Sequence, residues 1–553
     1  MKIKLLCLTL MISWLSYSQY SFDQIDIWSG SNGSSPRYFT EFNGEMYFQA
    51  FDITPSFKKL YKTNGTASGT QVVATNLNGG AGYSPESMYV MNGELFFTAT
   101  VSGLGIELYK TDGTDAGTVL IKDIRTGSSN GMDSATNDRE VFVEYNGELY
   151  FRGSTDSSIE LWKTDGTEAG TVSVKNFEDT EIGAPSYISR GRRQILGVEY
   201  NGLLYFYVNR NGAGELWRTD GTTANTEIVR DDLNNIDEMI VFDNQLFFVA
   251  EDATVGRELW VSDGTSTGTV VKHDLFPNDT QSSGFNVISS NPGDLIVHNN
   301  ELYFTAIGYA NNESTGKELW KSDGNTANLI KDIKTGNGED GINLPDLTIY
   351  NNELYFTASD DTTSDFELWK TDGTEAGTLK VVGVADTGES IELLNAITYG
   401  GNLFYIDSQQ LWVTDGTPQG TEALTGTTEE IIQVSTFAPL VFQSKLWFSG
   451  TDVDNGNELT SLTDANVLSI EDFEKHHLQI YPNPVSDFLF VSYNESMDIS
   501  SAILYNSLGQ KMMTLTLADL KSGVEVYQLN HGIYLLSLRT KSGQHYVRKI
   551  IKN

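Results

Sequence analysis

An eight-residue phrase recurs along the chain and constrains the fold more than any other feature. Its fullest copies are Glu107-Leu-Tyr-Lys-Thr-Asp-Gly-Thr114, Glu160-Leu-Trp-Lys-Thr-Asp-Gly-Thr167 and Glu367-Leu-Trp-Lys-Thr-Asp-Gly-Thr374, and looser copies begin at Lys59, Glu215, Glu258, Glu318, Gln410 and Glu458. A repeat of this length is one supersecondary unit. A single unit cannot bury its own apolar faces, so the units must stack. A second landmark precedes each phrase, as in Asn92-Gly-Glu-Leu-Phe-Phe-Thr98 and Asn146-Gly-Glu-Leu-Tyr-Phe151. Asn-Gly between apolar runs is a strong hairpin signal, because both turn residues must accept positive φ.

Each unit therefore reads as four antiparallel strands. One enters Asn-Gly, one leaves it, the Glu-Leu-Trp run is the third, and a fourth follows Asp-Gly-Thr, as at Val119-Leu-Ile-Lys-Asp-Ile124. Successive side chains of Leu302-Tyr303-Phe304 point to opposite sheet faces, and both faces are apolar. A sheet packed between two neighbours needs that pattern. The fold class expected is all-β: a single β-propeller of eight or nine four-stranded blades, with an open solenoid as the alternative. Ile25-Asp-Ile-Trp28 looks like a fourth strand placed at the start, and Val467-Leu-Ser-Ile470 like a matching final strand. One blade would then be completed from both ends of the chain, closing a ring.

Residues 1–18 have two lysines, an apolar run and small residues before position 19, the pattern of a secretory signal peptide. The only cysteine, Cys7, lies there, so no disulfide is expected in the exported chain. No later stretch is long and apolar enough to be a transmembrane helix. The net charge is −38, and residues 19–474 alone carry −43. That field disfavours nucleic acid and anionic membranes as partners, and a monomer is expected.

The phrase resembles the ELWxxDGT repeat of exported Bacteroidetes-type proteins over about Lys59 to Thr463, which implies a propeller-like architecture and no particular activity. Residues 19–470 form this region, and 471–478 read as a linker. From 479 the pattern changes: Ile480-Tyr-Pro-Asn-Pro-Val-Ser-Asp487, then short alternating strands, then Tyr546-Val-Arg-Lys-Ile-Ile-Lys552. Residues 479–553 read as a small Ig-like β-sandwich. They resemble the type A sorting domain of the type IX secretion system. That resemblance implies an outer-membrane translocon as partner, and a product released or attached at the cell surface. A plain Ig-like adhesion module is the competing reading.

Chemistry is sparse. The recurring Asp of Asp-Gly-Thr suits a turn cap better than a metal ring, since Asn64 replaces it once. Asp452, Asp454 and Glu458 have the close spacing of part of a calcium loop, as do Asp360, Asp361 and Asp365. Gly127-Ser-Ser-Asn-Gly131 lacks the following helix of a nucleophile elbow. An insert with Tyr187, Arg190, Arg192 and Arg193 concentrates guanidinium groups suited to carboxylate or sulfate, against the simpler expectation of local ion pairing. The function expected is non-catalytic binding of an extracellular polysaccharide or protein. The alternative is a propeller-fold polysaccharide lyase or glycoside hydrolase using His273, His298, Tyr187 and Arg190. A passive surface component is a third reading.

Overall fold

The computed structural model describes the chain except residues 1–18, 31, 52–57, 76, 78–82, 133–140, 157, 178–180, 183–196, 211–212, 277–288, 311–312, 337, 343–346, 383–389, 426–430, 436–437, 466–478, 482–484, 493–498, 507–510, 517–518, 521–522, 541–544 and 553. The expected signal peptide, the 471–478 linker and the 467–470 strand lie outside the described residues.

Alternating apolar runs and Asn-Gly turns give the predicted hairpins. In the second blade Tyr83–Met91 turns through Asn92 (φ 52°) and Gly93 (φ 77°) into Glu94–Val101, then Gly105–Thr111 and Val119–Lys122. Asn-Asn and Gln-Ser pairs adopt the same positive-φ turn at 299–300, 351–352 and 443–444. Six four-stranded antiparallel sheets of this kind occur among the described residues of the repeat region. An eight-stranded sheet is two blades run together through one long strand, Glu227–Phe242, which pairs with Ala213–Thr219 on one side and Gln245–Asp252 on the other. A five-stranded sheet makes the ninth blade.

Both faces of the second and third strands are buried, as expected for sandwiched sheets. Glu45–Phe51, Glu94–Val101 and Gln245–Asp252 each bury five consecutive residues. The apolar cores lie between successive blades: Leu60, Leu95 and Tyr109 share one, Phe96, Leu108 and Phe151 the next, and Tyr303, Leu319 and Phe356 another.

The ring closes out of phase, as the sequence indicates, but with a different strand. Tyr20–Ile25, not Ile25–Trp28, lies beside the third strand of the ninth blade, Gly456–Asp464. Residues 26–30 and 32–35 then lie toward the first blade. The Ser35 amide donates to the Asn457 carbonyl at 2.9 Å, and the Phe51 amide to the Ser34 carbonyl at 2.7 Å. Ile27 and Trp28 are excluded from the strand because their amides turn instead to the Glu458 carboxylate.

By packing, the chain divides into two units: Gln24–Leu440 with Trp447–Thr460, and Met1–Asp23 with Val441–Leu446 and Ser461–Asn553. In the second, the C-terminal segment is a β-sandwich. One sheet orders Gln479–Tyr481, Phe488–Ser492 and Val524–Glu525, and the other orders Lys511–Leu515, Ile499–Asn506, Gly532–Thr540 and His545–Lys552. Leu489, Val491, Leu504, Val524, Leu536 and Ile550 fill the space between them. The Val485 amide donates to the Ile551 carbonyl at 2.8 Å, tying the start of this segment to its last strand.

Candidate functional site

Most of the repeated polar residues are spent on the fold. The Glu that opens the third strand is fully buried at Glu107, Glu258, Glu318 and Glu458. Each carboxylate accepts backbone amides from the segment crossing to the next blade. Glu107 takes Ile124 at 2.8 Å and Gly131 at 2.9 Å, and Glu258 takes the Ser290 amide at 2.7 Å together with its hydroxyl. Glu318 takes Lys334 at 3.3 Å. Burial pushes Glu107 and Glu258 up to about 7 and Glu318 up to about 9, with the neighbouring Asp123, Asp274 and Asp332 acting in the same direction. Sequence reasoning placed these residues on strands but missed their role. The available signal was a charged residue at the edge of a run that is otherwise apolar on both faces.

The Asp-Gly-Thr turn is a closed local network. Asp372 Oδ1 accepts the Thr374 amide at 2.9 Å and its hydroxyl at 2.7 Å, while Thr374 Oγ1 accepts the Gly377 amide at 3.0 Å. These bonds hold the Asp372 carboxyl below the usual range. Asn64 Oδ1 accepts the Thr66 amide at 3.1 Å and its hydroxyl at 2.7 Å in the same way. A neutral amide thus does the same work, as a turn cap should. Asp372→Asn is therefore expected to leave the melting temperature within about one or two degrees of the parent, whereas Asp372→Ala loses the cap at a cost of about 1 kcal/mol. Differential scanning calorimetry of the pair checks this. Gly373, at φ +87°, lies under the Tyr303 hydroxyl of the preceding blade, and any Cβ there would overlap it.

The phrase lysine is likewise paired. Lys110, Lys163, Lys321 and Lys370 reach Glu94, Glu148, Glu301 and Glu353 across the second and third strands at 2.9–3.0 Å. Where Leu203 replaces that Glu, Arg218 turns to Glu227 at 2.6 Å.

His273 ends a fourth strand, Val270–His273, and is buried. Its Nε2 is 2.9 Å from Ser322 Oγ in the next blade. Burial pushes its ring down to about 4. The equivalent Lys122 and Lys331 also reach across, to the Thr171 and Thr378 carbonyls at 2.8 and 2.9 Å. His273 thus sits where its counterparts tether one blade to the next. His298 is half-buried, with Nε2 3.1 Å from the Asn352 carbonyl. The two histidines bond to different partners. Tyr187, Arg190, Arg192 and Arg193 lie outside the described residues. Arg230, a later member of the same arginine-rich stretch of sequence, pairs with Asp232 at 2.5 Å and stacks on Trp260.

The proposed calcium residues separate into two roles. Asp452 caps its own hairpin, accepting the Asp454 amide at 2.9 Å and Asn455 Nδ2 at 2.9 Å. Glu458 faces inward and accepts Ile27, Trp28 and Ser34 amides. Among the described residues no three His, Cys, Asp or Glu side chains converge as a metal site would require. No helix there is long and apolar enough to cross a membrane.

Residues 479–553 match the secretion system C-terminal sorting domain family. No curated protein matches the chain. Among solved structures it is similar to a prolyl endopeptidase (12% identity, 69% of this chain and 54% of that one, TM-score 0.34) and to oligopeptidase B from Leishmania major (11%, 70% and 54%, 0.37). It is also similar to the extracellular domain of a putative one-component system from B. thetaiotaomicron (9%, 94% and 87%, 0.23). The chain spans about half the length of the two peptidases. The sorting domain makes this a protein handled by the type IX secretion machinery and delivered to the cell exterior or its outer surface.

Proposed function

We propose that the protein is a non-catalytic, surface-displayed propeller of the ELWxxDGT class that binds an extracellular polysaccharide or protein through its loops. The observation that carries this reading is the sorting domain at residues 479–553, joined to a repeat region whose recurrent acids, lysines and turn residues are engaged in holding its own strands, turns and crossing segments. What remains for recognition is loop chemistry, which varies from blade to blade. The insert with Tyr187, Arg190, Arg192 and Arg193 supplies guanidinium groups in an acidic surround, suited to a carboxylated or sulfated glycan.

The test is retention of the full-length protein on immobilised acidic and neutral polysaccharides, with and without calcium. Retention on acidic glycans is expected to fall about tenfold or more in an Arg190→Ser, Arg192→Ser, Arg193→Ser variant. Equal retention of parent and variant removes the insert from the reading. Turnover of any of these glycans replaces binding with catalysis.

A further inference from the structure

Three aromatic side chains share the outer face of one sheet of the C-terminal sandwich, and a fourth, Tyr527, is exposed in the turn that follows the Val524–Glu525 strand of that sheet. On Phe488–Ser492, Leu489 and Val491 enter the core while Phe488 and Phe490 point outward. Tyr481 is the cross-strand partner of Phe490, and their rings stack with centroids 5.9 Å apart. Glu525 is opposite Phe488, and Tyr527 follows two residues on. Phe490 lies against Gly523 at φ +106°, where a Cβ would come within 2.8 Å of the ring. The ring is seated flush because the residue beside it has no side chain.

These rings are 51% (Tyr481), 46% (Phe488), 37% (Phe490) and 53% (Tyr527) exposed, whereas most aromatics of the second and third propeller strands are buried. A contiguous exposed aromatic patch on a folded domain marks an interaction surface, and aromatic anchors supply much of the energy in protein interfaces. The patch falls wholly within the residues that match a sorting domain. The opposite sheet presents a different character, with Ile533, Leu535 and Ile551 beside Lys549.

We propose that Tyr481, Phe488, Phe490 and Tyr527 form the docking face by which this domain seats on an apolar protein surface of the secretion machinery. The proposal rests on the sorting-domain match. It adds the side of the sandwich that is read.

The experiment expresses the full chain in a bacterium with this secretion system and measures the exported fraction. Phe488→Ser with Phe490→Ser is expected to cut export about tenfold or more, with protein accumulating in the envelope. Tyr481→Lys with Tyr527→Lys, at positions more than half exposed, is expected to do the same without unfolding the sandwich. Ile533→Ser with Leu535→Ser on the other sheet is expected to stay within about twofold of the parent. Export of the Tyr481/Tyr527 variant at the parent level overturns the proposal, as does equal loss from both faces. So does normal export coupled with loss of polysaccharide attachment, which would make the face a glycan platform. Leu536→Asp collapses the sandwich core. Normal export of that variant would instead refute the sorting role itself.

Discussion

Glu458→Ala is expected to destabilise the propeller by roughly 3 kcal/mol or more, the largest effect of any single substitution considered in the repeat region. Its carboxylate is fully buried and accepts three amides, from Ile27 at 3.1 Å, Trp28 at 3.3 Å and Ser34 at 2.7 Å, as well as the Ser34 hydroxyl. Truncation leaves several buried donors without an acceptor, and each costs the full desolvation penalty. These donors come from the opposite end of the sequence, so the loss loosens the seam between the ninth and first blades. Thermal unfolding should show an early transition, and limited proteolysis should release the N-terminal residues first. Glu458→Gln should be intermediate, because the amide keeps one acceptor oxygen and turns a donor toward other donors. A parent-like melting profile for Glu458→Ala would show that the seam is held by strand pairing alone.

The second large effect is a fall in stability as pH rises from about 6.5 to 8, the range between unfolded histidine and the lowered lysine described below. Glu107 and Glu258 are raised to about 7 and Glu318 to about 9, in each case chiefly by burial. A raised carboxyl keeps its proton in the folded state where the unfolded chain has lost it. Its contribution is complete below the unfolded value of 4.5 and disappears as pH rises through the folded one. His273 works the other way, since its lowered value costs stability below 6.5. Lys58, lowered to about 8, adds stability with rising pH only above that point. Between these limits the carboxyls dominate, with a slope of at most about 1.4 kcal/mol per pH unit for each group that remains protonated. Chemical denaturation at several pH values would measure it. Glu318→Gln should flatten the slope, and an unchanged slope in that variant would locate the linkage elsewhere.

The blade was legible because its information is local. Asn92-Gly93 dictates a turn through its own φ angles, and Leu95-Phe96-Phe97 shows two buried faces through simple alternation. The out-of-phase start was legible for the same reason, although its register slipped: a strand at Tyr20–Ile25 and the pattern at Ile25–Trp28 differ only in where Glu458 captures the amides. That capture joins residues 431 positions apart, and no local rule encodes it. The buried glutamates were invisible for a related reason, since a carboxylate at a strand edge looks solvated until the crossing segment covers it. His273 drew attention as a rare histidine, and in three dimensions it fills a tether position that lysine fills elsewhere. Phe488 and Phe490 read as ordinary sandwich residues, because alternation gives the period of a strand and not which face stays bare.

Because the first strand belongs to the ninth blade, the N-terminal segment has no partner until the last repeat exists. Neighbouring blades meet across about 50 residues, but the Ser34–Glu458 contact spans 424. Loop-closure entropy grows only logarithmically, so this longer span costs about 2 kcal/mol more than an adjacent contact. The penalty is small, but it must be met before any bond of the seam repays it, and this places circularisation at the end of the folding sequence. A chain cut short by even one repeat at its C-terminal end would carry an unsatisfied strand at its head, open to pairing with other molecules.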